Sequence, residues 1–467
     1  MLTLADFERD ALDTLLAYGE IPCLSPMYDA AWRENGHLDE AVELLATWAR
    51  ARRLANFEVT IERLEARTPL LVVTVEATST GTGTAVLYGH LDKQPPLGDW
   101  SDGLSPFSPT RVGDRLYARG LADDGYSTFS ALLALEALED AGTPHSRVVV
   151  LIEASEESGS PDLAAYLEHL ADHLGDVRFM VCLDSGALTY DRLWVTTSLR
   201  GIVNLEVTVG VLSRGQHSGA VSGVAPSSFR LLRQLLDRVE DSRTGEILVS
   251  ELREAIPDAH VQAAGATAEE FGDVTVADLP LLDGVSPMGA NAAERILRST
   301  WYPTLSVVGM GGVPLPEIAG NVLRPSTTAV LSFRLAPTTD SAEAARALVS
   351  RLASDPPEGA SVDVVSIQNA DGWMAPPLEP WLDDALADAS RAAFGREAGF
   401  TGEGGSIPFL ASLAERFPEA AFVATGVLGP DSNAHGIDEM LDLPTAVAVT
   451  NAVSHLLGAF AAENERR

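Results

Sequence analysis

Three apolar runs constrain this chain more than any other feature. TAVLYGH, RVVVLIE and RFMVC show no alternation of polar and apolar residues. Such runs mark strands that are covered on both faces. Each leads into a motif bearing histidine or carboxylate. Between the first two runs, YSTFSALLALEALEDAG reads as a helix ended by Gly142. Between the second and third, a helix opens at Pro161 and Asp162. This β-α-β-α-β order predicts an α/β fold with a doubly wound sheet and helices on its faces. Active sites in such sheets gather at the carboxyl ends of the strands.

From about Gly201 the texture changes. GIVNLEVTVGV reads as a strand and PSSFRLLRQLLDRVED as a helix, and a stretch rich in Ala, Asp and Gly runs to about Ser299. TTAVLSFRLAP, DSAEAARALVSRLASD and SVDVVSIQNA then read as strand, helix and strand. Two strand-helix-strand passes predict a small α+β (ferredoxin-like) sandwich. Residues 1–200 and 370–467 therefore read as one catalytic domain, with 201–369 inserted as a lid. Residues 1–66 read as helical.

With a net charge of −35, nucleic acid is not an expected partner. No apolar run reaches the roughly 20 residues of a membrane span, so no membrane is expected either. MLTLADFERDALDTLLAYGE reads as an amphipathic helix and not as a signal peptide. Cys23 and Cys182 are the only cysteines and cannot form a disulfide framework. A cytoplasmic location is expected. Lys93 is the only lysine among 32 lysine and arginine residues.

Five motifs carry the chemistry. YGHLDKQP holds His90 and Asp92, which face the same way if the strand stays extended, so Asp92 can orient His90. ARGLADDGYS places Asp123 and Asp124 on a glycine-flanked turn. EASEESGS places Glu156 and Glu157 after a strand, CLDSG does the same for Asp184, and DSNAHGIDE puts His435 in a loop. Imidazoles and carboxylates suit zinc, and two histidines with three carboxylates suffice for two ions if one carboxylate bridges. Paired ions clamp attacking water and substrate oxygen together. Glu156, beside Glu157, is placed to take the proton from that water. His169 and His173, four apart in YLEHLADHL, read as a solvated helix face.

With these residues in hand, the chain resembles the co-catalytic zinc peptidase family of carnosinases, dipeptidases, aminoacylases and glutamate carboxypeptidases, nearest the carnosinase-type dipeptidase branch. IPCLSP, YGHLDKQP, RGLADDGYS, EESGS, TTSLRG, RGQHSG, SFRLAP and EGGSIP carry the resemblance, in family order. The resemblance implies two Zn2+, with Mn2+ or Co2+ as alternatives. It implies that His90 and Asp184 bind one ion, Glu157 and His435 the other, and that Asp123 bridges. Glu156 is then the general base, and His217 stabilises the oxyanion. Arg334 binds the substrate carboxylate through its guanidinium fork. Asn321, Thr196 and Ser406 are further candidate substrate contacts.

The implied activity is hydrolysis of a dipeptide or similar small amide with a free carboxylate. A deacylase of N-acyl or N-carbamoyl amino acids is the alternative, and an inactive binding protein a third. A homodimer through the lid is implied as well. The chain departs from its relatives at Gly125-Tyr126, at Gly402 and in a shorter loop before His435. None of these touches an expected metal ligand; they bear on the substrate.

Overall fold

The strands of the two main sheets are, in chain order, β1 (Phe57–Glu62), β2 (Leu70–Val75), β3 (Thr84–His90), β4 (Arg147–Glu153), β5 (Val177–Cys182), β6 (Trp194–Leu199), β7 (Gly201–Gly210), β8 (Thr304–Gly311), β9 (Ser326–Leu335), β10 (Ser361–Ala370) and β11 (Ala421–Ala424). The helices used below are α1 (Asp13–Glu20), α2 (Tyr126–Asp140), α3 (Ser228–Leu236), α4 (Ser341–Ala353), α5 (Pro380–Phe394) and α6 (Leu443–Asn464). The computed structural model describes residues 1–277, 279–405 and 408–466; Ser406 lies outside the described residues. Its contacts form two units, Met1–Thr197 with Ala375–Thr401 and Ser412–Arg467, and Ser198–Met374 with Gly402–Ala411. The short segment Gly402–Ala411 thus groups with the second unit.

In the first unit the strand order is β1-β2-β4-β3-β5-β11-β6. The centre is parallel: β3 pairs with β4 and β5, and β5 with β11. The flanks are antiparallel, β1 on β2, β2 on β4, and β6 on β11. Every residue of β2 and β3 is buried, as their unbroken apolar runs require. Helix α2 is buried along nearly its whole length. Each fully buried aliphatic or aromatic side chain here contributes about 1.5–3 kcal/mol.

Two expectations change. Strand β1 lies inside residues 1–66, which read as helical. FEVTIE alternates, with Phe57, Val59 and Ile61 packed on the core, as a half-covered edge strand must. Helix α6 is long and apolar enough to cross a membrane by length and composition. Its small residues hid this from a search for large apolar runs. It packs against α2 and α5, and Leu456, Leu457 and Phe460 join the core, so it is a core helix.

The second unit contains a four-stranded antiparallel sheet in the order β8-β9-β7-β10. With α3 after β7 and α4 after β9, the chain runs β-α-β-β-α-β, the ferredoxin-like arrangement. Alternate residues of β7 (Val203, Leu205, Val207, Val209) and of β9 (Ala329, Leu331, Phe333, Leu335) build one core with Leu231, Leu235 and Leu348 of the helices. Strand β8 was not anticipated. TLSVVGMG sits at the sheet edge with a bulge between Val307 and Gly309, and it lacks the buried alternation of its neighbours. The Ala-rich stretch before it also holds the helices Asp258–Phe271 and Ala292–Thr300, with the short helix Val274–Ala277 between them.

Candidate metal centre

The ends of the parallel strands converge on one cluster in the first unit. His90 ends β3 and faces Glu153 of β4 in register. Its neighbour Gly89 leaves room for the turn that follows. A Cβ there would lie 2.5 Å from Asp124 Oδ2 and 2.2 Å from Ser127 Oγ. Asp124 uses that space to accept a hydrogen bond from the His90 amide, at 3.1 Å. Asp123 sits on the turn Leu121–Gly125 that leads into α2, and its peptide bond to Asp124 is cis. Glu156 and Glu157 form a single turn after β4, and Asp184 stands two residues past β5. His435 lies in the loop between β11 and α6, with a left-handed φ of 62°.

The distances define two linked groups. His90 Nε2 is 3.2 Å from Asp123 Oδ1 and 3.8 Å from Asp184 Oδ2. His435 Nε2 is 3.0 Å from Asp123 Oδ2 and 3.3 Å from Glu157 Oε2. Asp123 therefore spans the two imidazoles, one oxygen to each. Glu156 joins His90 and Asp184, with its ligand atom within 4.8 Å of theirs. His90 turns Nδ1 to the backbone carbonyl of Asp92 at 3.0 Å, while the Asp92 carboxylate is 3.6 Å away. That carboxylate instead accepts from the amides of Glu156 and Glu157, both at 3.1 Å. Asp92 thus orients His90 mainly through its carbonyl, and its side chain fixes the glutamate turn.

The electrostatics follow from burial. Glu156 is pushed well above the usual carboxylate range by burial and by Asp184, and Glu157 by burial and by Asp123. Burial opposes the charge on Asp123 too, but His435 and His90 hold its carboxyl below that range. Burial disfavours a charged His435, yet Asp123 and Glu157 carry it up to about 9.

This donor set fits divalent cations. Glu157 Oε1 is buried with no hydrogen-bond partner, and a buried carboxylate oxygen left so is costly. The neighbouring carboxylates repel one another, and a bound cation removes both penalties. Hard oxygen donors with two imidazoles suit zinc or manganese.

Four supporting residues lie within the quoted motifs but were given no role. Gln94 donates to Glu157 Oε2 at 2.6 Å. Arg119 and Glu439 form a buried ion pair at 2.6 Å. Glu439 also accepts from the amides of Gly120, Ala122 and Asp123, and Arg119 reaches the carbonyl of Gly436, next to His435. The turn of Asp123 and the loop of His435 are thereby joined. Glu153, below His90, takes hydrogen bonds from Tyr88, Ser155 and Ser160, and burial raises its carboxyl to about 7. Only their fixed distance from an acid or histidine motif marked these positions in the sequence.

The other expected contacts fall in both units. Thr196 is fully buried and meets Ser185 Oγ at 2.7 Å, so it buttresses the segment beside Asp184. His217, Asn321 and Arg334 belong to the second unit. His217 pairs with Val322 in a two-residue ladder, and the amide of Ser218 donates to the Asn321 carbonyl. Arg334 lies on β9 opposite Ile202, and burial lowers its pKa. Of the two histidines expected on a solvated helix face, His169 meets Glu62 at 3.4 Å, while His173 meets Thr74 Oγ1 at 2.7 Å in a partly buried setting.

Comparison with known proteins gives one answer. The chain is 28% identical over 372 residues to a cysteinylglycine-S-conjugate dipeptidase of Corynebacterium striatum, covering 78% of each. It is 27% identical over 383 residues to the Beta-Ala-His dipeptidase of Homo sapiens, covering 77% of this chain and 71% of that one. Its fold matches the di-peptidase Dug1p from Saccharomyces cerevisiae with a TM-score of 0.79 at 20% identity, over 98% and 97% of the two chains. It matches human carnosine dipeptidase 1 with a TM-score of 0.77 at 21% identity, over the same shares. The sequence profile of Peptidase family M20/M25/M40 matches residues 86–459, a span that holds every residue of the cluster, and this chain belongs to that family.

Proposed function

We propose that this chain is a two-metal dipeptidase whose ions are held by His90, Asp123, Glu157, Asp184 and His435. The observation that carries the reading is Asp123, with one oxygen toward His90 and the other toward His435. The partition is His90 with Asp184, His435 with Glu157, and Asp123 between them. Zinc is the proposed metal, with Mn2+ or Co2+ as alternatives. Bound ions would polarise the scissile carbonyl and acidify water. Glu156 takes the proton of the attacking water and returns it to the leaving amine. Burial and Asp184 push its carboxyl well above the usual carboxylate range, which makes it a stronger base. His217 is proposed to stabilise the oxyanion and Arg334 to hold the carboxylate end of the substrate, with Asn321 and Ser406 as further substrate contacts. The names of the relatives favour dipeptides over N-acyl amino acids.

The test is hydrolysis by purified protein loaded with Zn2+ or Mn2+, across dipeptides and acetyl amino acids. Dipeptides should be cleaved and activity should vanish with chelator. Cleavage of acetyl amino acids alone would move the reading to a deacylase, and cleavage of neither would end it.

The proposal extends to assembly and place. Residues 201–369 are taken as the inserted domain, between catalytic parts 1–200 and 370–467. A homodimer through this domain is proposed because edge strand β8 exposes Val307, Val308 and Met310. Light scattering should find a dimer that Val308→Asp disrupts; a monomeric wild type removes this part. A cytoplasmic location is proposed from two buried free thiols, Cys23 and Cys182.

A further inference from the structure

We propose that Lys93 is a positioning residue of the metal centre, a clamp that fixes the loop after His90 against the turn of Asp123 and the segment behind Glu157. The inference rests on the two-metal reading above. Lys93 is the sole lysine of the chain and has no exposed surface. Its ammonium donates to the carbonyls of Tyr18, Gly19 and Ile21 at 2.9, 3.4 and 2.9 Å. The first two lie in the last turn of α1 and the third just past it, where the helix dipole favours a cation. The Tyr18 ring lies 4.2 Å from the nitrogen, and the Tyr18 hydroxyl donates to Leu91, between His90 and Asp92. Side chain and strand end are thus tied to α1 twice.

The stem of Lys93 sets the second wall. Gly120 opens the turn of Asp123 with a φ of 80°, and a Cβ there would lie 2.5–2.7 Å from Cγ, Cδ and Cε of Lys93. The missing side chain at Gly120 is the space the lysine fills. The backbone supplies the third wall. Lys93 donates to the Cys23 carbonyl and accepts from the Ser25 amide, both at 3.0 Å. Ser25 Oγ meets Ser158 Oγ at 2.5 Å, one residue past Glu157. Lys93 therefore meets the turn of Asp123 with its side chain and, through its backbone and Ser25, ties the loop after His90 to the segment behind Glu157.

The chemistry explains why this basic residue is not arginine, as every other one outside histidine is. An ammonium aims three donors in a cone, which suits three carbonyls at a helix end. A planar guanidinium is broader and cannot follow that cone past Gly120.

Wild type, Lys93→Met and Lys93→Arg should be compared for Zn2+ affinity by chelator competition, and for kcat and KM on a cleaved dipeptide, below their melting temperatures. Both variants should bind zinc about 10–100-fold more weakly, the scale of an outer-shell loss. With zinc saturating, kcat should fall while KM stays near wild type. A merely structural lysine would lower Tm alone. Variants that match wild type in affinity and kcat overturn the inference, and so does Lys93→Arg if it behaves as wild type. Because the chain has one lysine, labelling with 13Cε-lysine gives one side-chain NMR signal, which decides the matter even if a variant does not fold. That signal should shift when zinc binds wild type; a signal that stays fixed overturns the clamp. Wild type that binds no zinc removes the two-metal reading and the clamp with it, whereas normal binding with indifferent variants removes the clamp alone.

Discussion

Two buried polar regions sit side by side in the first unit and are built on opposite terms. In one, Asp123, Glu156, Glu157 and Asp184 gather around two imidazoles, and Glu157 Oε1 has no partner. In the other, Glu439 accepts from three amides and from Arg119, and Lys93 meets three carbonyls. The first is short of positive charge; in the second the charged groups meet partners of opposite sign or carbonyls, with Arg119 Nε left over. On the proposed reading the contrast divides their work: one region takes up cations, and the other holds it in shape.

The largest expected effect falls on the unsatisfied region. Glu156→Gln keeps the shape of the side chain and removes the proposed base, so kcat should drop about a thousandfold, with zinc content unchanged by elemental analysis. Full kcat in this variant would break the division of roles between Glu156 and the proposed ligands.

The matched region should respond in stability first. Arg119→Met leaves Glu439 buried without its counter-charge, a loss of about 3–5 kcal/mol by urea unfolding. Replacing both, as Arg119→Met with Glu439→Leu, should regain only part of that stability and none of the zinc affinity, because the buried amides of Asp123 and its neighbours lose their acceptor. If the double variant binds zinc as wild type does, the frame does not set the geometry of the cluster.

Acidity offers a gentler probe. The Glu153 carboxyl rises from 4.5 to about 7 on folding, through burial. The folded state holds the proton more tightly, so its full stability is present below pH 4.5. That stability is lost as pH rises through 7, by about 3 kcal/mol. In metal-free protein, Glu153→Gln should flatten this part of the stability curve; an unchanged slope would assign it to other groups.

The smallest effect belongs at the border of the two regions. Gln94→Leu removes the donor to Glu157 Oε2 and should weaken zinc binding about tenfold, with little change in unfolding. A large loss of stability would place Gln94 in the frame.

Much of this was legible in the sequence because it depends on local pattern. The unbroken apolar runs required strands covered on both faces, and β3 and β4 are so covered, apart from half-buried Arg147 at the start of β4. The motifs at or just after strand ends mark His90, Asp123, Glu156, Glu157 and Asp184 as candidates from sequence alone. What escaped was weakly patterned or long-range. Strand β8 is an exposed, bulged edge, so no buried alternation marks it. Helix α6 hides its apolar character in alanine and other small residues. Asp92 was expected to orient His90 by its carboxylate, but backbone direction decided that the carbonyl lies nearer.

The sequence by itself determined the kinds of groups and their order along the chain, since strand runs, caps and acid motifs act over a few residues. Only the tertiary structure decided which oxygen meets which nitrogen. Asp123 and His435 are 312 positions apart in the chain, and their 3.0 Å approach depends on Arg119 and Glu439 joining two loops. Such pairings arise from packing across the sheet, where a few tenths of an ångström separate a shared ligand from a mere neighbour, and no local pattern encodes a distance that fine.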